Sequence, residues 1–439
     1  MVNQLDDNRE FKDSALGMIP KDWISCNLKD VINNIVGGGT PSRSRSDYWF
    51  GDIPWASVKD FKDDVQVLYQ TEEYITKNGL INSASNIIEA GIPLICTRMA
   101  VGRAVIAVVP VAINQDLKAL YPSDKINSTY LLVLLNFYRQ KLASLAIGST
   151  VKGIRIDELL SLHINVPPIP QQQQITRILD TVDKAIAQTE TLIAKYKRVK
   201  TGLMQDLLTR GIDENGQLRD PKTHKFKRSP LGMIPDEWNI VTLDTLCNKI
   251  TDGSHQSVKT SDHGVPFLYV SCIRDGKILW EETSKISEET YTLISKGREP
   301  LPGLILYTAV GSYGHAALVR DDKKFSFQRH IAYILPDPKK INSEYLTFWL
   351  NTNQSKQYAD QVAIGNAQKT VTLGEITKFP ILVPKIKEQN YIVEIITKID
   401  KYLTHEENYK KKLQVQKTGL MQDLLTGKTS VKPLLTNQP

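Results

Sequence analysis

From Ile175 onward, apolar positions recur at alternating steps of three and four: Ile175, Ile178, Val182, Ala185, Thr189, Leu192, Tyr196, Val199 and Leu203. This is the spacing of heptad a and d positions, and it predicts a helix with one apolar seam. A second seam keeps the same rhythm through Ile392, Ile395, Ile399, Tyr402, Glu406, Tyr409, Leu413, Gln416 and Leu420. Thr189, Glu406 and Gln416 interrupt the seams, and an isolated helix of this kind is marginal in water, so the two seams most simply bury each other. Pro167, Pro168 and Pro170 bar a helix across themselves and predict that the first one begins after them. Gly211 and Gly427 follow Leu-Leu-Thr in each case and fit helix C-termini.

Elsewhere the pattern is shorter. Residues 53–58 (IPWASV), 93–97 (PLICT) and 105–114 (VIAVVPVAIN) read as strands, and 130–145 as a helix. Residues 266–273, 304–310 and 330–336 repeat that reading, followed by a helix over 344–362. Each block is mixed α/β.

The chain is written twice. SALGMIPKDW at 14–23 returns as SPLGMIPDEW at 229–238, and KTGLMQDLLT at 200–209 returns unchanged at 417–426. Between the matched ends, 24–145 and 239–362 are nearly equal in length but different in sequence. Two readers of different targets on one scaffold would have this pattern. The boundaries this implies are a first domain at 1–165, a helix at 166–211 and a polar linker at 212–228. A second domain at 229–382, a second helix at 383–428 and a frayed tail at 429–439 complete the chain.

With 55 basic and 48 acidic residues in 439, the net charge of +7 permits a nucleic-acid partner without requiring one. The four cysteines, Cys26, Cys96, Cys247 and Cys272, form no CxxC pair, which suits a reducing compartment. The polar N-terminus does not resemble a signal peptide, and no apolar run is long enough to span a bilayer, so a cytoplasmic protein is expected.

Catalytic constellations are missing. The string nearest to an adenine-methyltransferase motif, Asn165-Val166-Pro167-Pro168, has an insertion and lacks the aromatic. Gly427-Lys428-Thr429 supplies half a phosphate loop, with Gln422 where the first glycine belongs. No GxSxG or HExxH occurs, and His255, His263, His315 and His330 match no metal spacing. The rival readings are a fused methyltransferase or nuclease, and a purely structural coiled-coil protein.

SPLGMIPDEW, the helix start PPIPQQQQI and KTGLMQDLLTG resemble the specificity subunits of type I restriction-modification systems, over nearly the whole chain. The resemblance implies an α+β fold. Two α/β target recognition domains are joined by two long helices pairing as an antiparallel coiled coil, in a pseudo-two-fold duplication. Each domain would read one half of a bipartite, asymmetric site in double-stranded DNA. Two methylation subunits would dock on this chain, joined by restriction and translocation subunits. S-adenosylmethionine, ATP and Mg2+ would sit on those partners, with no cofactor or metal on this chain. The complex, not this subunit, would methylate adenine N6 and cleave DNA with ATP. A helix of about 35 residues, roughly 50 Å, would let the pair act as a spacer between the two words.

The expected DNA contacts in the first block are Thr40, Ser42, Arg43 and Arg45, in a loop whose three glycines would let a phosphate approach the backbone. In the same loop, Trp49, Gly51, Ile53, Pro54 and Trp55 match a family motif and read as scaffold. Arg98 and Arg103 follow a strand, and surface solubility explains them as well as DNA does. Ser149 with Lys152 is matched by Lys369 in the second copy, which suggests a phosphate role. In the second block the candidates are Ser254, His255, Gln256, Lys259, Tyr313, Gln328 and Arg329. The seam residues Ile175, Ile178, Val182, Leu192, Tyr196 and Leu203, with Ile392, Ile395, Ile399, Tyr402, Leu413 and Leu420, would pair the helices and meet partners. The basic runs Lys195-Lys197-Arg198-Lys200 and Lys410-Lys411-Lys412-Lys417 are solvated faces or contacts to DNA or a partner.

Overall fold

The computed structural model describes residues 10–63, 65–148, 151–274, 276–366 and 368–435. Two compact units emerge: Met1–Glu190 with Tyr409–Pro439, and Thr191–Asn408. Each long helix is therefore divided between the units.

In the first unit, one sheet runs in the order Ile32–Gly37, Leu117–Pro122, Pro93–Cys96, Ala104–Ala107, Val67–Leu68. A second runs Glu73–Ile75, Trp49–Ala56, Val111–Ile113, Asn86–Ile88. The strand expected over 105–114 is two strands in different sheets, separated by the turn at Pro110, whose missing N–H ends the ladder. The second unit repeats the plan with one strand fewer per sheet. Its sheets run Cys247–Asp252, Ile331–Pro336, Ile305–Thr308, Ala316–Leu318 and Ser284–Ile286, Val265–Leu268, Ser326–Phe327. The helix expected over 130–145 breaks at Tyr138, and that over 344–362 breaks where Thr352 caps its second half.

In both units a two-stranded ribbon gathers the ends of the variable block: Ile24–Asn27 with His163–Val166, and Asn239–Thr242 with Pro380–Val383. Directly inside the ribbons, Leu28 N donates to Leu162 O at 2.8 Å and Leu243 N to Phe379 O at 3.0 Å.

The long helices are Ile169–Thr209 and Ile386–Leu425. Pro170 lies inside the first turn of the first, contrary to the sequence expectation. Its absent N–H would have had no helical acceptor there, so the turn loses nothing. The glutamines that follow fix each helix to its own domain. Gln172 and Gln389 are wholly buried. Each accepts the N–H of the residue that caps a domain helix, Asn127 or Asn342, at 2.8 Å. Each also donates at 2.8 Å to a proline carbonyl, Pro167 or Pro384.

Within each unit the helical segments pair antiparallel. Asp183 meets Lys417 at 2.5 Å and Glu190 meets Lys410 at 2.7 Å in the first. Lys200 meets Asp400 at 2.5 Å and Lys197 meets Glu407 at 3.5 Å in the second. The pairs Asp183–Lys417 and Asp400–Lys200 join equivalent positions of the two copies, so one contact is made twice. At about 0.2–1 kcal/mol each, such pairs fix register more than stability. Lys195, Arg198, Lys411 and Lys412 stay exposed.

The seam is partly as expected. Ile175, Ile392 and Leu413 are buried, and Ile178, Val182, Leu192, Tyr196, Leu203, Ile395, Ile399 and Leu420 half-buried. Tyr402 is mostly exposed, although its ring stacks on Tyr196, and Leu403 beside it is buried instead.

The repeated string KTGLMQDLLT serves the other copy's domain. Leu207 and Leu208 lie in the core around Trp238, and Leu424 and Leu425 in the core around Trp23. Beyond the first helix the expected linker is folded. Arg219 is 7% exposed and grips Glu388 with both guanidinium nitrogens, at 2.5 and 3.2 Å. The tail is not frayed over the described residues either. Val431 is buried, Lys432–Leu435 is a helical turn, and Lys432 meets Asp22 at 3.1 Å.

Candidate nucleic-acid interface

In the first unit three chain segments emerge at one end of a sheet. Gly37 closes its strand opposite Lys118, and Leu117 sits opposite Cys96. The segments after Gly37, after Cys96 and before Leu117 are thus neighbours. The glycines between Gly37 and Thr40 are needed by the protein itself. A Cβ on Gly38 would fall 1.8 Å from Ile113 O, and Gly39 O accepts from Ser85 Oγ at 2.6 Å and Trp55 Nε1 at 3.2 Å. Close packing against the chain itself is therefore reason enough for glycine at both positions.

What the end presents is Thr40, whose Oγ1 lies 2.5 Å from Gln115 Oε1, together with Arg98, which meets Asp116 at 3.4 Å. A fourth segment joins them, because Met99 N donates to Lys152 O at 2.9 Å. Ser42, Arg43, Arg45 and Arg103 each have a partner within the chain. Arg43 is bidentate to Glu73 at 2.5 and 3.0 Å and stacks 3.7 Å over Trp49. Arg45 is bidentate to Asp47 at 2.9 Å, and Ser42 bonds Ser44 at 2.9 Å. Arg103 donates to Phe61 O at 2.7 Å and meets Asp63 at 2.9 Å. Hydrogen bonds to Glu73 and Asp47 hold the Arg43 and Arg45 guanidinium groups above their ordinary pKa. Ser149 lies outside the described residues. The scaffold reading of Trp49 and Trp55 fits their burial and edge-to-face packing, 5.2 Å between ring centres.

The second unit builds the same end. Ser254 N donates to Phe327 O as Gly39 N does to Ile113 O, at 2.9 and 3.1 Å. Gln328 N donates to Leu268 O as Asn114 N does to Ala56 O, both at 3.1 Å. Ala309 N donates to His330 O as Thr97 N does to Asp116 O, at 2.9 and 2.8 Å. Gly311 N donates to Lys369 O as Met99 N does to Lys152 O, both at 2.9 Å. Even the left-handed conformation is kept, at φ 63° for Met99 and 71° for Gly311. These bonds put Thr40 opposite His255, Arg98 opposite Val310, Gln115 opposite Arg329, and Asp116 opposite His330. Of the positions so matched, 152 and 369 carry the same side chain, a lysine.

Ser254, His255, Gln328, Arg329 and Lys369 are therefore brought together as expected. Gln256 and Lys259 follow on the same exposed loop. Tyr313 is turned to Asp360, 2.6 Å away, and that hydrogen bond raises the phenol above its ordinary pKa. Gln115, Asp116 and Met99 were missed. Their only signal is structural, since nothing in the sequence says which strand ends meet.

A family described as the type I restriction modification DNA specificity domain matches residues 20–198 and again 235–417. The chain belongs to this family. It carries the specificity domain twice, and the two matches cover the two loop ends just described. A type I restriction enzyme specificity subunit of Methanocaldococcus jannaschii is 23% identical over 444 residues, 99% of either chain. The crystal structure of a type I restriction-modification system S subunit from M. genitalium shares the fold, at 13% identity and a TM-score of 0.56 over 96% of this chain and 98% of that one. A chain solved in a study of complex assembly and conformational transition of the type I system matches at 14% identity and a TM-score of 0.59, over 94% of this chain and 99% of that one. Among the described residues, no helix is long and apolar enough to cross a membrane, and no group of three His, Cys, Asp or Glu side chains could hold a metal.

Proposed function

We propose that this chain reads the two words of a split DNA site, one with each loop end. The observation that carries the reading is the pair of matched backbone frames with different side chains on them. A frame kept while its side chains change is what two recognition surfaces for two words require. The lysine kept at 152 and 369 suits what the words share, the phosphate backbone. In the first end, Gln115 is the side chain that can take an adenine edge, and Arg98 a guanine. In the second, Gln328 can take an adenine edge, and Arg329 can meet a guanine edge or the backbone phosphate beside it.

In this reading the chain is a non-catalytic cytoplasmic subunit. It seats two methylation subunits along its paired helices, with restriction and translocation subunits completing the assembly. Adenine-N6 methylation with S-adenosylmethionine and ATP- and Mg2+-dependent cleavage are the work of those partners.

Methylome sequencing of cells with and without this gene tests the reading. A two-part adenine-methylated motif should vanish on deletion, and an unchanged methylome would overturn the proposal. The loop ends make a finer prediction. Gln328→Ala should relax one position of the second word by about 1–3 kcal/mol and leave the first word alone. Lys369→Ala should weaken binding to all sequences and reduce the salt slope by about one. Competition binding across single-base variants at several salt concentrations separates the two outcomes.

A further inference from the structure

Of the positions matched between the two loop ends, two are histidines in the second and none is in the first. His255 stands where Thr40 does and His330 where Asp116 does. The two imidazoles are wired oppositely. His255 Nε2 lies 2.6 Å from Asp252 Oδ2, and since a carboxylate only accepts, that nitrogen carries a proton. His330 Nε2 lies 3.4 Å from Arg329 Nε, whose N–H donates, so here Nε2 is the acceptor and the ring is neutral. Burial first, and then the positive charges of Arg329 and His255, hold the His330 imidazole below its ordinary pKa. The other groups at this end are Asp252 beside His255, Lys369 and His315 on the two adjoining loops, and Tyr313, which bonds Asp360 on the helix Asn353–Val362.

We propose that His330 is a phosphate contact of the second reader, protonated only when the DNA backbone arrives, so that this reader takes up a proton on binding and the first does not. This rests on the DNA reading above and names a residue and a proton within it. The ground is the wiring. Among the described residues, the donor recorded on His330 Nε2 is the Arg329 guanidinium, 3.4 Å away, and a phosphodiester would draw that cation to itself. Arg329 would then turn its N–H toward the phosphate oxygen, Nε2 would lose its donor, and a solvent proton would take the vacated lone pair. The resulting imidazolium and guanidinium would share one anion, with no bond broken and one proton consumed.

The sign follows from the direction of the change. His330 is held low when free and raised when bound. The extra affinity is complete below the free-state value and is lost as pH rises through the bound-state value. Histidine is the side chain whose ordinary titration falls in this range, near pH 6.5, and the first reader's loops contain none.

The test uses the full chain assembled with its methylation subunits and a duplex bearing the site found by methylome sequencing. Binding is followed by anisotropy across about pH 5 to 8 at fixed ionic strength. The logarithm of the association constant should fall with pH at a slope approaching about minus one. His330→Gln should flatten that slope. On the DNA side, a single neutral methylphosphonate in the second word should flatten it for the unaltered protein, which needs no protein variant to fold. An adventitious slope, one that survives both His330→Gln and every methylphosphonate, would overturn the proposal, as would a flat profile in the unaltered complex. A slope removed by 7-deaza-guanine but by no methylphosphonate would make the contact a base edge and overturn the phosphate assignment. No binding at any pH would instead overturn the DNA reading itself, and this inference with it.

Discussion

Glu388→Ala should destabilise the second unit by about 2–3 kcal/mol, less than the full cost of a stranded buried charge because Arg219 keeps a second carboxylate, Glu237, 2.8 Å away. Glu388 sits in the first turn of the second long helix and serves four donors. Its carboxylate takes two nitrogens of Arg219, the Ile212 N–H at 3.0 Å and the Trp238 Nε1–H at 3.2 Å. Arg219 is 7% exposed, so truncation leaves a guanidinium that water cannot easily reach with only the half-exposed Glu237 as an ionic partner. The equivalent place in the first unit shows a gentler solution. Gln171 accepts from Trp23 Nε1 at 3.0 Å and donates to Asp22 at 2.6 Å. Glu388→Gln should accordingly cost less than Glu388→Ala, because the amide oxygen can still serve Trp238. Replacing Arg219 and Glu388 together by methionine should recover most of the loss, since no charge is then stranded. Denaturant unfolding of the full chain, followed by tryptophan fluorescence in a background where Trp23, Trp49 and Trp55 of the first unit are replaced by phenylalanine, reads this. If Glu388→Ala leaves the second unit's midpoint in place, the clasp contributes little.

What the sequence made legible was whatever is local or repeated. The heptad seams, the C-terminal glycines and the duplicated strings needed no knowledge of which strands pair. The seam failed at Val199 and Tyr409, which are exposed, and at Tyr402, where Leu403 is buried instead. Its helix begins by packing Ile392 and Ile396 into the domain core, so its inward face is set by the domain as well as by the partner helix. Pro170 was misjudged because a rule about helix interiors was applied to a first turn.

The loop ends were half legible. Thr40, Arg98 and Lys152 in the first unit, and Ser254, His255, Gln328, Arg329 and Lys369 in the second, were singled out as small-polar or basic residues in loops, and within each unit the strands bring its own set together. Arg43 looked equally apt, but its partner Glu73 is thirty positions away and paired to it by strand topology. Gln115 was invisible for the converse reason. It is seventy-five positions from Thr40, and only the closing of one strand beside another makes them neighbours. Chemistry was readable from the residue types, and engagement was not.

The two ribbons define where a reader can be exchanged. Replacing residues 28–162 by a copy of residues 243–379 should give a chain that requires the second word at both halves of its site and no longer recognises the first. The cut points are chosen by hydrogen bonds. Leu28 N to Leu162 O, and Leu243 N to Phe379 O, are the first bonds inside the ribbons, so either block enters and leaves the scaffold through the same two neighbouring positions. The blocks are of nearly equal length. An exchange bounded at 24 and 145, as the divergence alone suggests, would fail for a stated reason. It would part Arg98 and Met99 from the segment at 147–153 that pairs with them, and so break the loop end it meant to move. Two core contacts must also be preserved. Tyr130 and Tyr345 donate to Asn165 O and Leu382 O at 3.4 and 3.0 Å, acceptors outside the exchanged segment that the two scaffolds supply alike. With a mismatched base costing about 1–3 kcal/mol per position, loss of a whole word should lower affinity for the original site by several powers of ten. Methylome sequencing of cells carrying the exchanged gene reads both halves at once. If the first word persists, the side chains at 40, 98 and 115 do not read it.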